Sequence, residues 1–184
     1  MKRIARPITA KYLQNAATFY LERYPATADG LRRVLARRVR RAEMTEAPVM
    51  DNVEQAIDAI VARFVASGVV DDAAFAQTKA RALHRRGNST RMTRQKLSLA
   101  GVDRDTLDKA MTALDEELAT DPASRERQAA IALARRRRLG PFRASEQRKH
   151  YRLRDLAALA RAGFAGDVAR KVIDAADPEA LDEA

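Results

Sequence analysis

The sequence of 184 residues contains no cysteine and no tryptophan, and only 5% of it is aromatic. Without cysteine there can be no disulfide and no thiolate metal site. The fold must rest on its core, and a reducing, cytoplasmic setting is expected. Scarce aromatics leave thin platforms for stacking the bases of a single strand. Seven glycines and six prolines are too few for long disordered stretches. No apolar run approaches the roughly 20 residues that span a bilayer, and the basic segment 1–11 is not followed by an apolar stretch of signal-peptide length. No membrane partner is therefore expected. No glycine-rich phosphate loop occurs, and the two histidines, His84 and His150, lack clustered metal-ligand spacing. His84, next to Leu83 and among arginines, reads as a surface residue. We expect no enzyme: no catalytic residue, no cofactor and no metal.

What is present is charge and helical periodicity. Thirty-five Lys and Arg face 25 Asp and Glu, for a net charge of +10. Such a field attracts polyanions, whether nucleic acid or an acidic protein surface, and says nothing about fold. Apolar residues recur at helical steps. Leu13, Ala16, Ala17, Tyr20, Leu21 and Tyr24 form one stripe, and Val53, Ala56, Ile57, Ile60, Val61 and Phe64 a second. Leu107, Ala110, Met111, Leu114 and Leu118 form a third. No period-2 segment bounded by turns appears, so the expected class is all-α, with about nine helices.

Punctuation divides them. Tyr24-Pro25-Ala26-Thr27 ends the first helix and offers Thr27 as an N-cap. Asp51-Asn52-Val53-Glu54 reads as a capping box with a carboxylate in place of the hydroxyl. Asp71-Asp72 could be a paired carboxylate site, but at a helix start the simpler role is capping orphan amides. Breaks follow at Gly87, Gly101, Asp121-Pro122, Gly140-Pro141 and Gly163.

The helices repeat. A shift of 62 residues brings Leu13 onto Phe75, Leu21 onto Leu83, Thr27 onto Ser89 and Leu35 onto Leu97. A second shift brings Leu97 onto Leu159, Ala100-Gly101 onto Ala162-Gly163 and Lys109 onto Lys171. By this alignment Phe75 belongs to a core stripe. The reading is three tandem three-helix repeats, 10–68, 69–119 and 124–177, between flexible termini 1–9 and 178–184. Residues 40–49 loop out of the first repeat and 139–144 out of the third. Units this small gain stability by stacking, and an elongated, curved monomer with a long exposed face is expected.

The basic clusters are the main chemical feature. Arg32-Arg33 and Arg37-Arg38 run on to Arg40-Arg41. Arg81, Arg85, Arg86, Arg91, Arg94 and Lys96 bracket Gly87. Arg135, Arg136, Arg137 and Arg138 are followed by Arg143, Arg148, Lys149, Arg152 and Arg154. Guanidinium forks suit phosphates and carboxylates alike. Candidate partner- or DNA-binding residues are Arg85, Arg86, Arg94, Arg135, Arg136, Arg137, Arg138, Arg148, Lys149 and Arg152. The competing reading is a solvated helix surface, since consecutive residues on a helix point about 100° apart. Phe142 and Tyr151 have no place in any stripe.

Residues 68–76, Gly-Val-Val-Asp-Asp-Ala-Ala-Phe-Ala, resemble a segment of the RecX family. Arg85-Arg86-Gly87, then Leu97 and Gly101-Val102, match the spacing that follows it. Residues 159–164, Leu-Ala-Arg-Ala-Gly-Phe, are similar to the family's terminal motif, with Ala162 where a second arginine is common. Gly87-Asn88-Ser89-Thr90 stands where Gly-x-Gly-Pro is frequent. The resemblance spans most of residues 12–176. It implies three three-helix repeats and a regulator of the RecA recombinase in DNA repair, recombination and the SOS response. Such a regulator binds the RecA–DNA filament and inhibits its ATPase, strand exchange or growth. Direct DNA contact stays open, and so does an alternative, a free-standing helix-turn-helix protein. Against the alternative, the helix after Gly101 carries Asp103, Asp105 and Asp108, which repel phosphate.

Overall fold

The computed structural model describes residues 7–181, which form nine α-helices joined by short turns. They are α1 (Ala10–Leu21), α2 (Ala28–Glu43), α3 (Val53–Ala66), α4 (Asp72–Arg85), α5 (Thr90–Leu99), α6 (Arg104–Glu117), α7 (Pro122–Arg137), α8 (Ser145–Arg161) and α9 (Gly166–Ile173). Short 3₁₀ turns occupy Gly140–Phe142 and Glu179–Leu181. The described residues contain no strand, only one isolated parallel bridge between Ile8 and Val49. No helix among them is long and apolar enough to cross a membrane. The all-α class read from the periodicity is the observed one.

The chain forms two compact units. Unit 1 holds the described residues up to Phe75 together with Leu99–Asp103. Its core joins Leu13 and Ala17 of α1, Leu31 and Leu35 of α2, and Ile57, Ile60 and Val61 of α3. Each buried leucine or isoleucine stabilises the fold by about 1.5–3 kcal/mol. Thr27 caps α2 as expected: its hydroxyl accepts from Gly30 N–H at 2.9 Å. The same hydroxyl donates to the Ala100 carbonyl at 2.5 Å. Asp71 caps its own helix by accepting from Ala74 N–H at 2.9 Å, whereas Asp72 accepts from Ala28 N–H at 2.8 Å and so caps α2.

Unit 2 holds Ala76–Ser98 and the described residues from Arg104 onward. One cluster packs Ala130, Leu133 and Ala134 of α7 against Leu159 of α8 and Val172 and Ile173 of α9. Ala76, Ala80, Leu83, Leu97, Leu107, Met111 and Leu114 are buried on α4, α5 and α6. Ser89 repeats the behaviour of Thr27. It accepts from Met92 N–H at 3.2 Å and donates to the Ala162 carbonyl at 2.7 Å. The carboxylate of Glu126 accepts from Thr90 N–H at 2.7 Å, one residue further on. Each recipient carbonyl precedes a glycine in the left-handed region, Gly101 with φ 93° and Gly163 with φ 90°. A Cβ on Gly101 would lie 2.5 Å from the Asp29 carboxylate, and one on Gly163 2.7 Å from the Ser89 hydroxyl.

A buried ion pair anchors α7. Arg125 is 5% exposed and bonds to Asp115, to the Met111 carbonyl at 3.3 Å and to the Thr90 hydroxyl at 3.3 Å. His84 borders this network and is half-buried, where the sequence suggested a surface site. Burial lowers its pKa below the ordinary 6.5, and the Arg125 charge lowers it further against the opposing pull of Glu126 and Asp115.

Several expectations need correction. Asp51 builds no capping box: the N-cap of α3 is Asn52, in the left-handed conformation with φ 55° and no side-chain cap bond. Asparagine tolerates that conformation and turns the chain after Met50, whose N–H donates to the Ile8 carbonyl at 3.1 Å. Phe75 is half-buried, and the buried face of α4 is set one position on, at Ala76, Ala80 and Leu83. Residues 40–43 do not loop out but continue α2, because Ala42 still buries itself in the unit 1 core. Of the terminal segments 1–9 and 178–184, the described parts are tied down. Ile8 is buried and its N–H donates to the Pro48 carbonyl at 2.8 Å. Leu181 is buried and its carbonyl accepts from Arg127 at 2.9 Å. Residues 1–6 and 182–184 lie outside the described ones.

Candidate functional site

The last turn of α7 carries Arg135, Arg136 and Arg137, and α8 carries arginines at 148, 152, 154 and 161 among alanines and leucines. On α7, Leu133 turns inward while Arg136 and Arg137, three and four positions on, stay exposed beside it. On α8, Arg154, Ala158 and Arg161 fall at helical spacing, so two guanidinium groups flank an alanine. These faces line two depressions that share residues. One, of about 440 Å³, is bordered by Arg137, Leu139, Arg143, Arg154, Ala158 and Arg161. The other, of about 370 Å³, is bordered by Met92, Lys96, Leu133, Arg136, Arg137 and Arg161. Arg137, Ala158 and Arg161 belong to both, so the two form one groove.

The charged side chains of the groove are cationic with one exception. Asp155 is the one carboxylate in its lining, and that charge is already taken up. At 1% exposure Asp155 accepts from Gly140 N–H at 2.9 Å and from Arg143 Nη2 at 2.9 Å and Nε at 3.2 Å. Arg136, Arg137, Arg154 and Arg161 have no carboxylate partner among the described residues. Lys96 donates to Asn88 Oδ1 at 2.5 Å, which leaves its charge unneutralised. Tyr151 stands at the far end with the Arg143 guanidinium 4.5 Å from its ring centre, and Phe142 packs on the unit 2 core under Arg135 at 5.4 Å. Cation–π packing thus accounts for both aromatics that fitted no stripe.

Of the ten residues singled out by sequence, only Arg136 and Arg137 lie in the groove. Arg135 faces Phe142, and Arg138 ends α7 in the left-handed region. Arg85 and Arg86 are exposed at the end of α4, and Lys149 is exposed on α8. Arg94 pairs with Asp108 across α5 and α6. Arg148 braces the turn before α8, donating to the Arg143 carbonyl at 3.0 Å, the Pro141 carbonyl at 2.6 Å and the Ala176 carbonyl. Arg152 forms a bidentate pair with Asp174 at 2.6 and 2.7 Å. That bond holds the Asp174 carboxyl below its ordinary range. Arg161 stood outside every basic cluster. Its signal was the spacing Arg154, Ala158, Arg161, which puts a small residue between two cations.

Three of the acidic residues of α6 are also paired internally. Asp108 pairs with Arg94, Asp115 with Arg125 and Glu117 with Arg81. These three carboxylates fasten α6 to α4, α5 and α7, a packing role for the helix that follows the Gly101 turn.

Comparison with known proteins agrees with this architecture. Residues 71–111, which run from α4 into α6, match the RecX second three-helix domain. Over 170 residues the chain is 42% identical to regulatory protein RecX of Myxococcus xanthus (strain DK1622), covering 92% of this chain and 88% of that protein. It is 30% identical over 173 residues to regulatory protein RecX of Agrobacterium fabrum (strain C58), covering 93% and 86%. A crystal structure of regulatory protein RecX shares the fold, with a TM-score of 0.54 at 19% identity over 90% of this chain and 72% of that one. The chain belongs to the RecX family.

Proposed function

We propose that this protein is a RecX-type regulator that binds the RecA–DNA filament and inhibits recombinase activity. The observation that carries the reading is its 42% identity, across 92% of the chain, to a protein named regulatory protein RecX. The cationic groove supports it, because a filament of protein and DNA is strongly anionic along its nucleic-acid strand. We further read the chain as three tandem three-helix repeats acting as a monomer in the cytoplasm, with no catalytic step of its own. The rival, a free-standing helix-turn-helix protein, is disfavoured by α6, where Asp108, Asp115 and Glu117 are committed to packing against Arg94, Arg125 and Arg81 while Asp105 and Glu116 keep its surface acidic.

Binding to RecA-coated single-stranded DNA, measured beside binding to the same DNA uncoated, tests the proposal. The regulator reading expects tighter binding to the coated strand. Equal or weaker binding to it favours the free-standing DNA-binding protein.

A further inference from the structure

The face of α7 turned away from the arginine groove borders a second, open cleft of about 500 Å³. Gln128, Ile131 and Arg135 run along it at helical spacing, and Leu181 of the last 3₁₀ turn closes its other side. The cleft and the groove share no lining residue: Ile131 and Leu133, two positions apart, point about 200° away from each other around the helix. We infer that this cleft docks a linear acidic peptide of a partner protein, one that carries a large apolar side chain between its acids. Such docking is independent of the regulatory role proposed above.

The chain already holds a segment of this kind against α7. Residues 177–181, Asp-Pro-Glu-Ala-Leu, are acidic and end in one leucine. Leu181 is 6% exposed and packs into the unit 2 cluster, while Asp177 and Glu179 stay exposed. Arg127 of α7 donates to the Leu181 carbonyl at 2.9 Å. The apolar side chain is inserted, its carbonyl is held by an arginine and the acids remain outside.

Beyond Leu181 the cleft offers the same chemistry again. Ile131 and Ala132, both half-buried, give it an apolar floor. The side chain of Gln128 makes no hydrogen bond among the described residues, so its amide presents a donor and an acceptor to a peptide backbone. Arg127 and Arg135 stand four positions before and after Ile131, about 12 Å apart along the axis. In an extended peptide, acids four residues apart lie at about 13 Å, with an apolar residue midway between them. No carboxylate lines the cleft. Asp121, next to it, accepts from Ala123 N–H at 2.8 Å, Ser124 N–H at 3.1 Å and the Ser124 hydroxyl at 2.6 Å, which occupies both its oxygens. A nucleic-acid strand fits less well, because an isoleucine separates the two cations and no aromatic lines the cleft to stack a base.

NMR titration of the ¹⁵N-labelled full chain tests the inference. The probe is the synthetic peptide Ser-Asp-Ser-Leu-Ser-Asp-Ser. One control peptide replaces the leucine by serine, and another replaces both aspartates by asparagine. The protein variants are Gln128→Glu and Gln128→Lys, at an exposed position. We expect saturable shifts at the amides of Gln128, Ile131 and Ala132. Each control peptide should bind the wild type more weakly by about fivefold or more. Gln128→Glu should weaken the aspartate peptide by about two- to fivefold and Gln128→Lys should tighten it, while the asparagine peptide binds all three proteins alike. Absence of saturable shifts at these amides overturns the site. So does an aspartate peptide that binds both variants like the wild type, or one indifferent to loss of its leucine. An oligo-dT strand that displaces the peptide from the same amides would make the cleft a nucleic-acid site. Shifts there on concentrating the protein without peptide would assign it to a second copy, and tighter peptide binding on removal of residues 182–184 to the chain's own continuation. Each of these three also overturns the inference.

Discussion

Thr27 and Ser89 lie 62 residues apart and make the same two hydrogen bonds. Each hydroxyl accepts from the backbone N–H three residues on and donates to a carbonyl 73 residues on, at Ala100 and Ala162. The helix cap and the long-range tie are one atom. Ser89→Ala removes both and leaves the Ala162 carbonyl without its donor. A cap is worth about 0.5–2 kcal/mol and a lost buried partner about 1–3 kcal/mol. We expect Ser89→Ala to cost about 1.5–4 kcal/mol in urea unfolding, and Thr27→Ala the same. A loss below about 0.5 kcal/mol at either site would show that the tie carries no weight.

The Arg125–Asp115 pair makes a second prediction. Removing one member of a buried pair strands the other, at about 3–5 kcal/mol. Arg125→Ala and Asp115→Ala should each destabilise by that amount, and the double variant by much less than their sum. Denaturant titration of the three variants measures the coupling, and simple additivity would contradict it.

His84 gives a dependence on pH. Its folded pKa lies below the ordinary 6.5 because burial and Arg125 disfavour the imidazolium. The unfolded chain therefore binds the proton more readily. The stability involved is fully present above pH 6.5 and is lost as pH falls through the lower folded value. The urea midpoint should drop between pH 8 and pH 5 in the wild type, and this drop should be smaller in His84→Gln. An identical drop in both would place its source elsewhere.

Arg148 and Arg152 belong to the fold, unlike Arg136 and Arg137. Arg148→Ala frees three carbonyls that now share one guanidinium, at a cost of about 1–3 kcal/mol. Inhibition per folded molecule should be unchanged, whereas Arg136→Ala/Arg137→Ala should weaken inhibition with little change in melting temperature. Thermal melts run beside RecA assays separate the two, and the reverse pattern would exchange the assignments.

Much of the fold could be read in the sequence because helices announce themselves locally. The apolar spacing of Leu13, Ala16 and Ala17, and of Ile57, Ile60 and Val61, recurs within a few residues and marks the buried faces of α1 and α3. A large apolar residue at a helix start can lie at the edge of a stripe, as Phe75 does. Its alanine neighbour, Ala76, takes the core position. Phe75→Ala should accordingly cost less than Leu83→Ala, for which about 2–5 kcal/mol is expected. The groove was only partly legible. An arginine in sequence looks the same whether it meets solvent, as Arg137 does, or a carboxylate 22 residues away, as Arg152 does at Asp174. The repeat exposed the equivalence of Thr27 and Ser89, but not the carbonyls they bind, which no local pattern encodes.

The most direct test of the regulatory role is the single-stranded-DNA-dependent ATPase of RecA, measured with increasing amounts of this protein at fixed salt. The account predicts that turnover falls as the protein is added. RecA turnover that stays constant at saturating protein, including with the recombinase of the same source organism, would contradict it.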